Sequence, residues 1–62
     1  MTLYEINYAP TKRVVRGVHM WDIAYRVQAA SLEDAKAYAR RCIAVEAPAP
    51  IYKLTSAREV QA

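Results

Sequence analysis

A run of period two from Val18 to Ala29 stops at Ser31, and a run with spacings of three and four begins directly after it. Few folds accommodate that junction. A period of two sets successive side chains on opposite faces of a strand, and a period near 3.6 sets them along one stripe of a helix. In the first run Trp21, Ile23, Tyr25 and Val27 share one face, and Met20, Asp22, Ala24, Arg26 and Gln28 share the other. Ser31 supplies the side-chain oxygen that an N-cap needs, and Glu33 and Asp34 bring negative charge to the positive end of the helix dipole. Leu32, Ala35, Tyr38, Ala39, Cys42 and Ile43 then form an apolar stripe opposite Glu33, Lys36, Arg40 and Arg41. A strand thus feeds a helix almost without a connection, and the helix stripe is expected to cover one face of a sheet.

The remaining strands follow from the same patterning. Thr2 to Tyr8 alternates, with Tyr4, Ile6 and Tyr8 on one face and Leu3, Glu5 and Asn7 on the other. Pro10 ends that strand because it has no N–H for a ladder and restricts Ala9 before it. Ala9 to Gly17 carries turn signals and three cations, and reads as a long hairpin connection with an exposed tip, the next strand starting as early as Val14 or Val15. Ala47-Pro48-Ala49-Pro50 is expected to stop the helix. Ile51 to Arg58 is expected as the last strand, with Tyr52 and Leu54 as core contacts and fraying from Ser56 onward. The sum is an α+β fold of the order ββαβ. It is a two-layer sandwich in which one helix packs on one face of a three-stranded antiparallel sheet of order 2-1-3. Parallel pairing of the last strand with the second is the alternative.

Sixty-two residues suffice for one domain, 1–62, since a chain this short buries only about 60% of its unfolded surface. With 55% hydrophobic and 24% charged residues it has the composition of a folded chain. No apolar run approaches the roughly 20 residues that span a bilayer, and Met1 to Glu5 has no basic region leading into an apolar stretch. A cytoplasmic protein without membrane association is expected. A single cysteine, Cys42, forms no internal disulfide. So small a core favours a homodimer, formed through the open sheet face with Met20, Ala24 and Leu3 or through an edge strand.

Residues that carry chemistry are few. His19 and Cys42 are the one nucleophile-and-base pair available, and both read better as structural, Cys42 as a small hydrophobe on the helix stripe. One Cys and one His fall short of a metal site, and Gly17 alone makes no phosphate loop. Glu5 and Asp22 face the open side of the sheet, where pairing with Arg26 outweighs any acid/base role. No enzyme, metal or cofactor is expected. Tyr4, Tyr8, Trp21 and Tyr25 share the side the helix covers, so they read as core. The net charge of +3 is concentrated: Lys12, Arg13 and Arg16 lie within five residues, and Arg40 and Arg41 are adjacent. These five are the expected partner-binding residues, meeting phosphate or an acidic protein groove. A solvated hairpin tip and a solvated helix face are the competing readings.

The stretch from Tyr25 to Ala39, a strand, a Ser cap and an Ala-rich helix, resembles a unit found in small phage and mobile-element proteins. With its flanking strands the whole layout resembles the smaller anti-CRISPR proteins. That resemblance implies a non-catalytic inhibitor that binds a host protein or ribonucleoprotein complex. It carries over no individual residue, and at +3 the chain departs from the acidic DNA mimics among those proteins. The alternatives are a small DNA- or RNA-binding accessory protein and a structural or regulatory homodimer.

Overall fold

A computed structural model describes residues 1–46 and 51–60. In chain order the elements are β1 (Thr2–Pro10), β2 (Val14–Val15), β3 (Val18–His19), β4 (Ile23–Ala29), α1 (Leu32–Glu46) and β5 (Tyr52–Glu59). The main sheet is antiparallel and ordered β4-β1-β5, and β2 and β3 form a separate two-stranded ladder. The chain is therefore α+β, with one helix and a three-stranded antiparallel sheet. The expected order 2-1-3 does not carry over unchanged, because the long second strand is interrupted. Residues 20–22 are not in strand, so Val18–His19 pairs with Val14–Val15 outside the main sheet and only Ile23–Ala29 pairs with β1.

Ser31 caps α1 as its sequence position requires: its Oγ accepts the Asp34 N–H at 3.2 Å and its C=O accepts the Ala35 N–H at 3.1 Å. The expected stop at Ala47–Pro50 lies outside the described residues, as does the end of the expected fraying at 61–62; the strand itself continues to Glu59. The helix buries Ala35, Ala39 and Ile43 against Ile6, Tyr8, Val27 and Ala29. Two of its three buried contacts are alanines, which bring the helix axis close to the sheet. Tyr38, expected in that stripe, is instead 51% exposed, because it lies on the flank of the helix beyond the alanine seam.

α1 rests mainly on β4 and less on β1 and β5. This offset explains Leu54, expected as a core contact and found 41% exposed. Tyr52 and Ala57 pack against the core from β5 instead. Ala57 reaches that side because of a bulge. Opposite β1, Asn7 pairs with Ser56 but Tyr8 pairs with Leu54, leaving Thr55 as an extra residue. Strict alternation from Leu54 would have turned Ser56 and Arg58 inward. The bulge turns Ala57 inward and sets Ser56 and Arg58 on the open face, opposite Asn7 and Glu5.

The open face is consequently a polar ladder. Glu5 stands between Arg26, 3.5 Å away on β4, and Arg58, 3.2 Å away on β5, and its side chain is only 15% exposed. The Asn7 amide donates to Glu5 Oε1 at 3.1 Å and to Ser56 Oγ at 2.9 Å. These hydrogen bonds and the two guanidinium groups hold the Glu5 carboxyl below its ordinary range, with the Asn7 bond the largest cause. Asp22 does not face Glu5; it pairs with Arg13.

Candidate functional site

Between Pro10 and Ile23 the chain leaves the main sheet and forms an arm. Its root is fastened at three points: the Thr11 N–H and hydroxyl both donate to the Ile51 carbonyl, and the Tyr52 hydroxyl donates to the Trp21 carbonyl at 3.1 Å. The Met20 N–H donates to the Arg13 carbonyl at 2.7 Å, and Val14 pairs with His19 and Val15 with Val18. Two residues remain for the turn. Arg16 (φ 51°) and Gly17 (φ 79°) both take positive φ, which marks a type I′ turn, the two-residue connection whose twist suits a hairpin. The arm lengthens the molecule, whose principal extents are 40 × 20 × 13 Å. Its radius of gyration is 12.3 Å, against about 10.6 Å for a compact chain of this length.

The arm is apolar and basic together. Val14 and Val18 are exposed, and Trp21, read from the sequence as core, is 71% exposed. The correction has a plain cause. Trp21 precedes β4 rather than belonging to it, so it stands at the root of the arm and escapes the helix that covers Ile23, Tyr25 and Val27. Its main chain is held by Tyr52, and the His19 ring packs against its indole with centroids 4.2 Å apart. Val14 and His19 pair directly across the ladder, and Lys12 lies two residues before Val14 on the same arm.

Of the five cations expected to bind a partner, Lys12, Arg13 and Arg16 are on the arm and Arg40 and Arg41 are on α1. No hydrogen bond or ion pair joins the two groups among the described residues. Arg13 is engaged within the arm, its Nη1 2.7 Å from Asp22 Oδ1, so it braces the hairpin root. Lys12 and Arg16 have no acidic partner among the described residues, and neither do Arg40 and Arg41. The Arg41 guanidinium instead lies 5.8 Å from the centre of the Tyr38 ring, within cation–π range.

His19 and Cys42 belong to different elements, the arm and the helix, and Cys42 is half-buried beside Tyr38, Arg41, Val45 and Glu46. No group of three or more His, Cys, Asp or Glu side chains converges among the described residues. The Tyr25 hydroxyl donates to Glu46 Oε2 at 2.9 Å, and desolvation together with this carboxylate pushes its pKa up to about 12. No described helix is long and apolar enough to cross a membrane.

Sequence reasoning placed Val14 in the exposed hairpin, but gave it and Val18 no binding role and missed Trp21 as a surface residue. The signal was present in Val14-Val15-Arg16-Gly17-Val18-His19, three β-branched valines flanking two turn residues, which is a self-contained hairpin pattern. No family model matches the chain, and neither a curated protein nor a solved structure is similar to it.

Proposed function

We propose that this is a non-catalytic binding protein that docks the arm, residues 11–22, onto a partner protein or ribonucleoprotein in the cytoplasm of a host cell. The observation that carries the reading is Trp21. Its backbone is fixed while its indole stands in solvent, which is the preorganisation expected of an interface anchor. Val14 and Val18 extend the apolar contact, and Lys12 and Arg16 supply charge that steers the arm toward an acidic groove. The narrower assignment, an inhibitor of the anti-CRISPR type, rests on the resemblance in layout. Arg40 and Arg41 lie on another element and are left out of this contact.

A second reading has its own observation. The paired Trp21 and His19 rings, on an arm that also carries Lys12 and Arg16, would also stack bases of a single strand while the cations meet phosphates. One experiment separates the two. Immobilised protein is exposed to host lysate with and without nuclease, and binding of labelled oligonucleotides is measured over a salt series. Docking on a protein complex predicts stoichiometric capture that resists nuclease, weak oligonucleotide binding, and a loss of at least about 30-fold in affinity for Trp21→Ala. Capture abolished by nuclease would transfer the function to nucleic acid. Lys12→Ala/Arg16→Ala would then lower the logarithmic salt slope by about two. A Trp21→Ala variant with wild-type capture would remove the arm from either role.

A further inference from the structure

The two edges of the main sheet are built differently. β5 carries the bulge at Thr55 together with Lys53, Arg58 and Glu59, devices that keep an edge from pairing with another chain. β4 has seven residues in unbroken register with β1, no proline and no bulge, and Arg26 is its one charge. Its outer side has no neighbouring strand among the described residues. A shallow depression of about 270 Å³ walled by Val27, Ala29 and Tyr38 joins this strand to α1, and a second of about 330 Å³ adjoins it on the helix, walled by Tyr38, Cys42 and Val45, with Arg41 in both. Asp34, Tyr38, Arg41 and Val45 follow one another at spacings of four, three and four, so they line one flank of α1. Tyr38 is 51% exposed there and Val45 is 83% exposed.

We infer that this edge binds a second copy of the chain. β4 pairs antiparallel with β4 of the partner subunit across a two-fold axis, giving a six-stranded sheet with the two α1 helices side by side above it. Charge favours this occupant. Around such an axis the helices run antiparallel, so Asp34, in the acidic first turn of each, approaches the Arg41–Val45 half of the other. Register favours it as well. An axis beside Val27 keeps core-facing residues together and sets Arg26 across from Gln28 of the partner subunit, so that no arginine faces itself.

The area is adequate for a weak dimer. Seven strand residues extend about 23 Å, and the band from sheet edge to the outer side of the helix is about 20 Å deep. That is roughly 460 Å² per copy in projection, at the small end of specific interfaces. The need is visible in the core, where three of the seven buried hydrophobic residues are alanines, and chains of this size commonly gain stability by association.

Sedimentation equilibrium of the full chain across the micromolar range tests the inference. The wild type is expected to rise from 7.0 kDa toward twice that mass. Tyr38→Glu/Val45→Glu is expected to stay at the lower mass with unchanged far-UV circular dichroism, its dissociation constant raised at least about ten-fold. Val45→Glu alone serves if the double variant misfolds. An arm variant, Val18→Ser/Trp21→Ala, should dimerise as the wild type does, which separates this surface from the proposed docking arm. A wild type that stays monomeric, a helix variant that still dimerises, or an arm variant that does not would each overturn the proposal.

Discussion

Replacing Ile6 by Ala should be among the most damaging single truncations in this protein. Ile6 is the one large side chain with essentially no exposed surface among the described residues. It sits on the central strand with Tyr25 opposite on one side and Ala57 on the other. Three carbons are lost, which at about 0.8 kcal/mol each removes about 2.4 kcal/mol of transfer free energy. A cavity term is added because the surroundings cannot close in. Ala35 and Ala39 have no reach, and Tyr8 and Tyr25 are set edge to face with centroids 6.3 Å apart. The expected loss is about 3–4 kcal/mol, within the range for buried Ile→Ala changes. Against a total near 3–9 kcal/mol for a chain of this length, the variant should show a urea midpoint far below the wild type, or no cooperative transition by circular dichroism. Leu54→Ala, at a 41% exposed site, should cost less than half as much. An Ile6→Ala variant no less stable than Leu54→Ala would refute the placement of the core under β1.

Ser31→Ala should lower stability by about 1 kcal/mol in urea denaturation, since it removes the acceptor of the Asp34 N–H; an unchanged midpoint would deny that bond. Glu5 ionises below its ordinary 4.5 in the folded chain, so its contribution is present above that value and disappears as pH falls through the folded value. Glu5→Gln should therefore flatten the acid limb of a stability–pH curve. Tyr25 behaves in the opposite sense at alkaline pH. The unfolded phenol ionises near 10 and the folded one near 12, so stability falls as pH rises through that window, and absorbance titration should show one tyrosine ionising late. In Glu46→Gln that late step should move back toward 10.

The elements with a strong local signal are legible in the residues alone. Ser31 and the acidic turn after it locate the helix start, and the alternation of β1 marks Ile6 and Tyr8 as inward. What escapes such reading depends on contacts remote in sequence. The inward position of Ala57 requires an extra residue at Thr55, and nothing in the stretch Lys53 to Arg58 marks a bulge without its partner strand. Trp21 fits the alternation of β4 but lies beyond its pairing with β1, which starts at Ile23. Burial there depends on where the helix ends over the sheet. The division of the five cations is a matter of topology too. Their clustering is plain along the chain, but Asp22 claims Arg13 only because the hairpin returns beside it.

The central place of β1 also fixes the order in which the molecule can be assembled. Its partner on one side is β4, which α1 follows directly, but its partner on the other is β5, so that Tyr4 meets Glu59 almost the length of the chain away. Until residues 52–59 have emerged during synthesis, the β1–β4 pair and α1 can form only an unfinished body with one side of β1 unpaired. Long-range pairing of this kind is slow to nucleate, and the waiting edge is the kind that captures other chains. Crowding of nascent copies should therefore harm the yield of this protein more than its native surface suggests, and the emergence of β5 closes both the core and the period of risk.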